Sequence, residues 1–132
     1  MNENNITKHI LLIDDDETHL FETESMLKDK YDVCTVKSGR AALLRLIKGP
    51  VPNLILLDIL MPQMDGWETF RTIKGITLLH DIPIAFITSL TDSSEAEQAF
   101  QMGAVDFIMK PYGKEELIKR IDSIFEKFGK KT

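Results

Sequence analysis

The chain has 132 residues, a length that suits one domain with a core of its own, and we expect residues 1–132 to form a single unit. Hydrophobic residues make up 43% and charged residues 28%, and no apolar run is long enough for a signal peptide or a membrane span, which predicts a cytoplasmic protein without a membrane contact. Its 16 basic and 21 acidic residues leave a net charge of −5, which argues against direct nucleic-acid binding and suits a cation or a basic partner.

Short apolar segments that alternate with helical patterns predict five strands. They lie at residues 10–13, 31–36, 54–57, 82–87 and 105–109. Cys34 falls in the second of them and is interpreted as a strand residue, because the only cysteine of a chain cannot form an internal disulfide. Residues 1–7 are polar and without pattern, so we expect this terminus to fray.

Capping residues and apolar faces mark the helices between these strands. The first helix is predicted at about residues 17–28 after a cap at Asp16 or a neighbour, and later helices follow Ser38, Asp65 and the segment 92–97. A fifth helix closes the chain. The apolar faces predicted for the five helices contain Leu20, Phe21 and Leu27; Ala42, Leu43, Leu46 and Ile47; Phe70 and Ile73; Ala96, Ala99 and Phe100; and Leu117, Ile121, Ile124, Phe125 and Phe128.

The third strand ends at an acidic residue. Residues 54–57 are all apolar, as in a strand that is buried on both faces of a parallel sheet. Because Met61-Pro62 blocks a helix and Asp65-Gly66 marks a turn, Asp58 must lie where this strand gives way to a loop.

Regular alternation of strand and helix predicts an α/β fold in which a five-stranded parallel sheet has helices on both faces. The common order for such a doubly wound sheet is 2-1-3-4-5, and we expect this order here. Strands one and three are then neighbours where the winding reverses, so Asp14, Asp15 and Asp58 meet in one crevice. Thr88 and Lys110 reach the same crevice from the next two strands.

These residue types suit one reaction. Several carboxylates that lie close together stay ionised near neutral pH only beside a cation, and all-oxygen ligands favour Mg²⁺. Asp58 then becomes a carboxylate nucleophile beside a metal, able to accept a phosphoryl group whose oxygens Lys110 and Thr88 would stabilise.

A set of motifs resembles the receiver domain of two-component response regulators. They are Leu12-Ile13-Asp14-Asp15, Leu57-Asp58, Met61-Pro62, Met64-Asp65-Gly66, Ile87-Thr88-Ser89, Gly103-Ala104 and Lys110-Pro111. The resemblance runs from about residue 8 to residue 128 and implies the flavodoxin-like sheet described above.

The resemblance implies roles for single residues. Asp58 would accept a phosphoryl group from a histidine kinase or a histidine phosphotransfer protein, and Asp14, Asp15, Asp58 and the Leu60 carbonyl would hold Mg²⁺. Thr88 and Phe107 would form a switch that changes the surface of the last two helices. The Lys110-Pro111 bond would be cis. Leu60 and Leu90 would flank the path of water to Asp58.

The sequence also fits two other classes of protein. Residues 14–18 also fit the Asp-x-Asp-x-Thr pattern of haloacid dehalogenase-type phosphatases, in which Asp14 would be the nucleophile. A non-phosphorylated binding module of the same fold is a further alternative, although its site would be degraded and this one is complete. The downstream target or effector domain is not identified by the residues, and the chain is either a single-domain regulator or a receiver from a longer protein.

The three histidines lack the spacing of metal ligands. His9 precedes the first strand, His19 lies in the first helix and His80 lies in a loop. We therefore interpret all three as surface or packing residues.

Overall fold

A computed structural model describes residues 7–128 as alternating strands and helices. The strands are β1 (His9–Ile13), β2 (Asp32–Val36), β3 (Leu54–Asp58), β4 (Ile84–Thr88) and β5 (Asp106–Met109). The helices are α1 (Glu17–Leu27), α2 (Gly39–Lys48), α3 (Gly66–Lys74), α4 (Ser93–Met102) and α5 (Lys114–Phe128). Among these helices none is long and apolar enough to cross a bilayer. Residues 1–7 were expected to fray, and residues 1–6 of this segment lie outside the described part of the chain.

All five strands form one parallel sheet in the order β2-β1-β3-β4-β5, which confirms the predicted topology. Ile13 pairs with Leu57 across β1 and β3, so the residues that follow them, Asp14 and Asp58, leave the sheet side by side. The winding reverses at this pair of strands, and open α/β sheets bind their ligands at such a point.

Hydrophobic cores fill both faces of the sheet. On one face the strands pack against α2, α3 and α4, with Leu46, Phe70 and Ala99 in the core. On the other face α1 and α5 cover the strands through residues such as Leu27 and Ile121. Because neighbouring strand residues point to opposite faces, β3 contributes to both cores and is buried along its whole length.

Element boundaries follow the predictions to within about two residues. β4 differs most, since it begins at Ile84 and includes Thr88. Pro83 stays outside the strand because it has no N–H, although its carbonyl still accepts a hydrogen bond from Ile55 at 3.0 Å. Asp16, Ser38, Asp65 and Asp92 cap α1 to α4, as the sequence predicts. Cys34 lies in β2, which confirms its assignment to a strand.

The predicted apolar faces of the helices are too wide. Phe21, Ile47, Phe100 and Phe128 were expected to pack inward, but their exposed fractions are 69%, 71%, 50% and 46%. The residues just before Phe21, Ile47 and Phe100 are buried instead. Consecutive side chains on an α-helix point about 100° apart, so both members of such a pair cannot face the sheet. A helix on a sheet therefore buries a narrower stripe than the runs of apolar residues suggest.

Gly66 allows the loop after β3 to lie close to the start of α3. A Cβ atom at this position would lie 2.3 Å from the Asp58 carbonyl oxygen and 2.5 Å from the Ile59 Cα. The Gly66 amide donates a hydrogen bond to the Ile59 carbonyl at 2.8 Å. Because Gly66 has no side chain, its backbone can pack against the residues next to Asp58 and hydrogen-bond to them.

We expect Gly66→Ala to lower the free energy of unfolding by about 1–3 kcal/mol, because backbone atoms have to move to admit the methyl group. Gly113→Ala is the matched control, since nothing lies within 4 Å of its added Cβ. Urea denaturation of both variants is the measurement. Equal stability of the two variants would contradict the close approach at Gly66.

Candidate functional site

Three carboxylates meet at the carboxyl edge of the sheet. Asp14 follows β1 and is fully buried, Asp58 is the last residue of β3 and is 3% exposed, and Asp15 is exposed. One oxygen from each carboxylate lies within 4.8 Å of one oxygen of the others. The reversal of winding between β1 and β3 therefore brings together the acidic residues that the sequence predicts to share a crevice.

Lys110 reaches the same place from the end of β5. Its Nζ lies 3.1 Å from the Asp14 Oδ2 and 3.8 Å from the Asp58 Oδ1, so its charge is shared by both buried carboxylates. The Lys110 amide donates to the Thr88 carbonyl at 2.8 Å, which ties the loop to β4. The Lys110-Pro111 bond is cis, as the sequence resemblance implies.

The electrostatics of Asp14 and Asp58 differ. Burial, followed by the nearby charge of Asp14, raises the pKa of Asp58 to about 7, although Lys110 acts in the opposite direction. Burial by itself would raise the pKa of Asp14 too, but hydrogen bonds from His19 and the Asp16 amide, together with Lys110, hold it below its ordinary value. One ammonium group therefore does not neutralise the pair.

A divalent cation fits this donor set. Mg²⁺ prefers oxygen ligands at about 2.1 Å, so two oxygens bound to one ion lie at most about 4.2 Å apart. One oxygen from each carboxylate already lies within 4.8 Å of the others, which a small adjustment would bring into this range. Burial and the charge of Asp14 raise the pKa of Asp58 more than Lys110 lowers it, so a further cation would stabilise the ionised carboxylate. The Leu60 backbone amide lowers the pKa of Asp58, which places this backbone near the carboxylate, while the Leu60 carbonyl as a metal ligand stays a prediction.

Thr88 and Phe107 lie on β4 and β5, the last two strands of the sheet. Thr88 is fully buried, and its Oγ accepts a hydrogen bond from the Leu90 amide at 3.1 Å. Phe107 pairs with Phe86 across β4 and β5, and its ring is buried in the core beneath α2, α3 and α4. The two residues therefore lie on neighbouring strands, and their role as a switch stays a prediction.

His19 packs on Tyr112, as one of its two expected roles allows, but it also contacts the site, which its interpretation as a surface or packing residue missed. Its Nδ1 lies 2.5 Å from the Asp14 Oδ2, and its Nε2 lies 3.0 Å from the Tyr112 hydroxyl. A signal was present in the sequence, because a helix capped by Asp16 places its first turn directly over the end of β1. His9 and His80 are surface residues as expected, with side chains 52% and 51% exposed.

The sequence and the fold match one family. Residues 10–122 match the model of the response regulator receiver domain. The chain is 33% identical over 120 residues to the response regulator PleD of Caulobacter vibrioides, covering 90% of this chain and 26% of PleD. It is 28% identical over 123 residues to the response regulator SaeR of Staphylococcus epidermidis, covering 92% of this chain and 52% of SaeR.

A solved structure agrees with this match. The signal receiver domain of a signal transduction histidine kinase from Syntrophus aciditrophicus superposes with a TM-score of 0.82 at 30% identity, over 96% of each chain. The chain belongs to the response regulator receiver domain family of two-component signalling.

Membership of this family has consequences for function. Its members are signalling phosphoacceptors, typically phosphorylated on an Asp, that bind Mg²⁺ at an acidic pocket and interact with histidine kinases or phosphotransfer proteins and with effector domains. The match argues against the dehalogenase-type phosphatase with Asp14 as nucleophile. The chain spans about half or less of the length of these curated relatives.

The free energy of unfolding of the metal-free protein should fall as the pH rises from about 5 to about 7. Asp58 keeps a proton in the folded state that it loses in the unfolded state, so its stabilising contribution is complete below the ordinary Asp pKa and is lost as the pH passes about 7. At about 1.4 kcal/mol per pH unit the expected loss is about 2 kcal/mol. Urea denaturation in the presence of a chelator measures it.

Asp58→Asn should remove most of this slope, since an amide does not titrate. Asp29→Asn, in the exposed turn after α1, is the matched control and should keep it. A slope in Asp58→Asn as steep as that of the unaltered protein would assign the effect to other groups.

Proposed function

We propose that residues 1–132 act as one receiver domain that accepts a phosphoryl group on Asp58 from the phosphohistidine of a histidine kinase or a histidine phosphotransfer protein, in a reaction that requires Mg²⁺. The observation that carries this proposal is the position of Asp58. Its carboxylate lies at the carboxyl edge of the sheet beside two further acids and within 3.8 Å of Lys110. The family match supports an Asp as the phosphoacceptor.

Asp58 is the nucleophile of the proposed transfer. One of its carboxylate oxygens forms a bond to phosphorus while the bond between phosphorus and the donor imidazole nitrogen breaks, and that nitrogen keeps the electron pair and takes up a proton. The product is an acyl phosphate on Asp58. Charge of the transferred group spreads over its oxygens, so fixed positive groups around Asp58 favour the transfer.

Lys110 supplies such a positive group from the protein itself. Its ammonium already lies between Asp14 and Asp58, so a small shift brings it to a phosphoryl oxygen on Asp58. Magnesium held by Asp14, Asp15, Asp58 and the Leu60 carbonyl would supply the remaining positive charge, both on the carboxylates and on the phosphoryl oxygens. Asp14 and Asp15 act only as ligands in this proposal.

Thr88 and Phe107 would report phosphorylation to the surface of α4 and α5. The Thr88 hydroxyl lies at the end of β4, next to β3, and can donate a hydrogen bond to a phosphoryl oxygen on Asp58. A new bond of this kind favours one of two arrangements of the loop after β4 and of the neighbouring Phe107 ring. The phosphoryl group then shifts an equilibrium that exists already.

The purified chain should label itself with a small phosphodonor such as phosphoramidate when Mg²⁺ is present, because the reacting groups are its own. Intact mass measures the gain of one phosphoryl group. Asp58→Asn should stay unlabelled, and Asp29→Asn, the matched control, should label as well as the unaltered chain. Peptide mapping that places the label on Asp14 would contradict this proposal and favour the phosphatase alternative.

The acyl phosphate on Asp58 should be long-lived. Leu60 and Leu90, which the resemblance places along the path of water, carry no group that can orient a water molecule, and the exposed fraction of Leu60 is 52%. Replacement of Leu60 by Asn and Leu90 by Glu supplies polar groups there and should shorten the lifetime about tenfold or more.

Decay of the phosphorylated protein after removal of the donor is the measurement for this lifetime. Leu78→Asn serves as the control, because Leu78 is 89% exposed and precedes β4 at the opposite edge of the sheet. If the double variant decays at the rate of the unaltered protein or more slowly, the two leucines do not govern the lifetime.

A further inference from the structure

A chain of hydrogen bonds leads from Asp14 into the space between α1 and the loop after β5. His19 Nδ1 lies 2.5 Å from the Asp14 Oδ2, and His19 Nε2 lies 3.0 Å from the Tyr112 hydroxyl. The same hydroxyl lies 2.8 Å from the Thr23 Oγ. His19 and Thr23 are one turn apart on α1, so the chain joins the end of β1, one face of α1 and the segment that leads into α5.

The donors and acceptors of this chain have a consistent direction. An ionised Asp14 only accepts, so His19 Nδ1 carries the proton and donates it, which leaves Nε2 to accept from Tyr112. Burial raises the pKa of Tyr112 to about 12, so its hydroxyl stays protonated and can donate a hydrogen bond to the His19 Nε2. The Thr23 hydroxyl can donate to the Tyr112 oxygen in turn. Each group therefore fixes the orientation of the next.

This arrangement restricts the Asp14 carboxylate. Its Oδ2 accepts hydrogen bonds from His19 and from Lys110, whose Nζ lies 3.1 Å away. Its Oδ1 accepts a hydrogen bond from the Asp16 amide at 3.0 Å. A carboxylate has about four acceptor positions, so the one that is left lies on Oδ1. Without His19 the carboxylate would be held by Asp16 and by a flexible lysine side chain only.

We propose that His19, held in turn by Tyr112 and Thr23, is a positioning residue that orients the Asp14 carboxylate for a divalent cation. This inference rests on the proposed function, since it takes Asp14 to be a metal ligand. Simple packing of His19 on Tyr112, whose ring centroids are 5.6 Å apart, accounts for one edge of the imidazole. It does not account for the bond from the opposite nitrogen to a fully buried carboxylate.

The test of the proposal is a titration of Mg²⁺ into the metal-free full chain, with the heat of binding measured by isothermal titration calorimetry. Groups that hold a metal ligand in place contribute about 10–100-fold to metal affinity, so His19→Leu should raise the Kd for Mg²⁺ about tenfold. Tyr112→Phe should raise it less, because it removes only the hydroxyl that holds His19. His19→Asn keeps a donor near the position of Nδ1 and should restore most of the affinity.

His80→Leu is the matched control and should leave the Kd unchanged, because His80 lies in the exposed loop before β4. A spectroscopic readout accompanies the calorimetry. On addition of Mg²⁺ the ring resonances of His19 should shift, while those of His9 and His80 stay in place.

The outcomes separate this inference from the proposed function. If the unaltered chain binds Mg²⁺ and His19→Leu binds it equally or more tightly, the positioning role is overturned and the proposed function stands. If the unaltered chain does not bind Mg²⁺, both are overturned. Should His19→Leu not fold, an unchanged Kd in Tyr112→Phe, or His19 resonances that ignore Mg²⁺, would overturn the positioning role.

Discussion

Repulsion between two buried carboxylates is the constraint on which the rest of this structure depends. Asp14 and Asp58 leave neighbouring strands side by side, where water reaches neither of them freely and Lys110 is the one ammonium group of the described chain that contacts both. The folded chain accommodates the pair unequally, since Asp14 is hydrogen-bonded as an anion while the pKa of Asp58 rises to about 7. A site of this kind favours any group that adds positive charge.

The sheet makes this arrangement possible. The hydrophobic cores on both faces and the pairing of β1 with β3 fix the register of these two strands. The same interactions therefore keep Asp14 and Asp58 close together. Gly66 adds to this restraint, because its missing side chain lets α3 begin against the backbone that follows Asp58. Asp58 and Thr88 thus lie at the ends of strands, and Asp14 and Lys110 come directly after strands of the same sheet.

The two faces of the sheet connect the site to different parts of the molecule. Phe107 belongs to the core beneath α2, α3 and α4, and so links the strand next to Thr88 with the helices of that face. His19 and Tyr112 lie on the other face, where α1 and α5 pack. On one face the core next to β4 and β5 thus includes α2, α3 and α4, and on the other face the hydrogen bonds of Asp14 lead to α1 and to the segment before α5.

Much of this protein could be predicted from residues that are close in the sequence. Short apolar runs define the strands, side-chain oxygens cap the helices, and Asp58 must end a strand because Met61-Pro62 prevents a helix. These features depend on local backbone preferences, which a sequence displays directly. Once a parallel sheet of the common order is assumed, the meeting of Asp14, Asp15, Asp58 and Lys110 follows, since it needs only the position of each strand end.

Other features were decided by tertiary structure alone. Phe21 and Ile47 look like core residues in the sequence, but the rotation of each helix on the sheet turns them toward solvent. His19 looks like a surface residue, but it meets Asp14 and Tyr112, the second of which is 93 positions away in the chain. A helix face and a partner of this kind depend on how whole elements pack, because side-chain direction is set by rigid-body orientation and not by the residue itself.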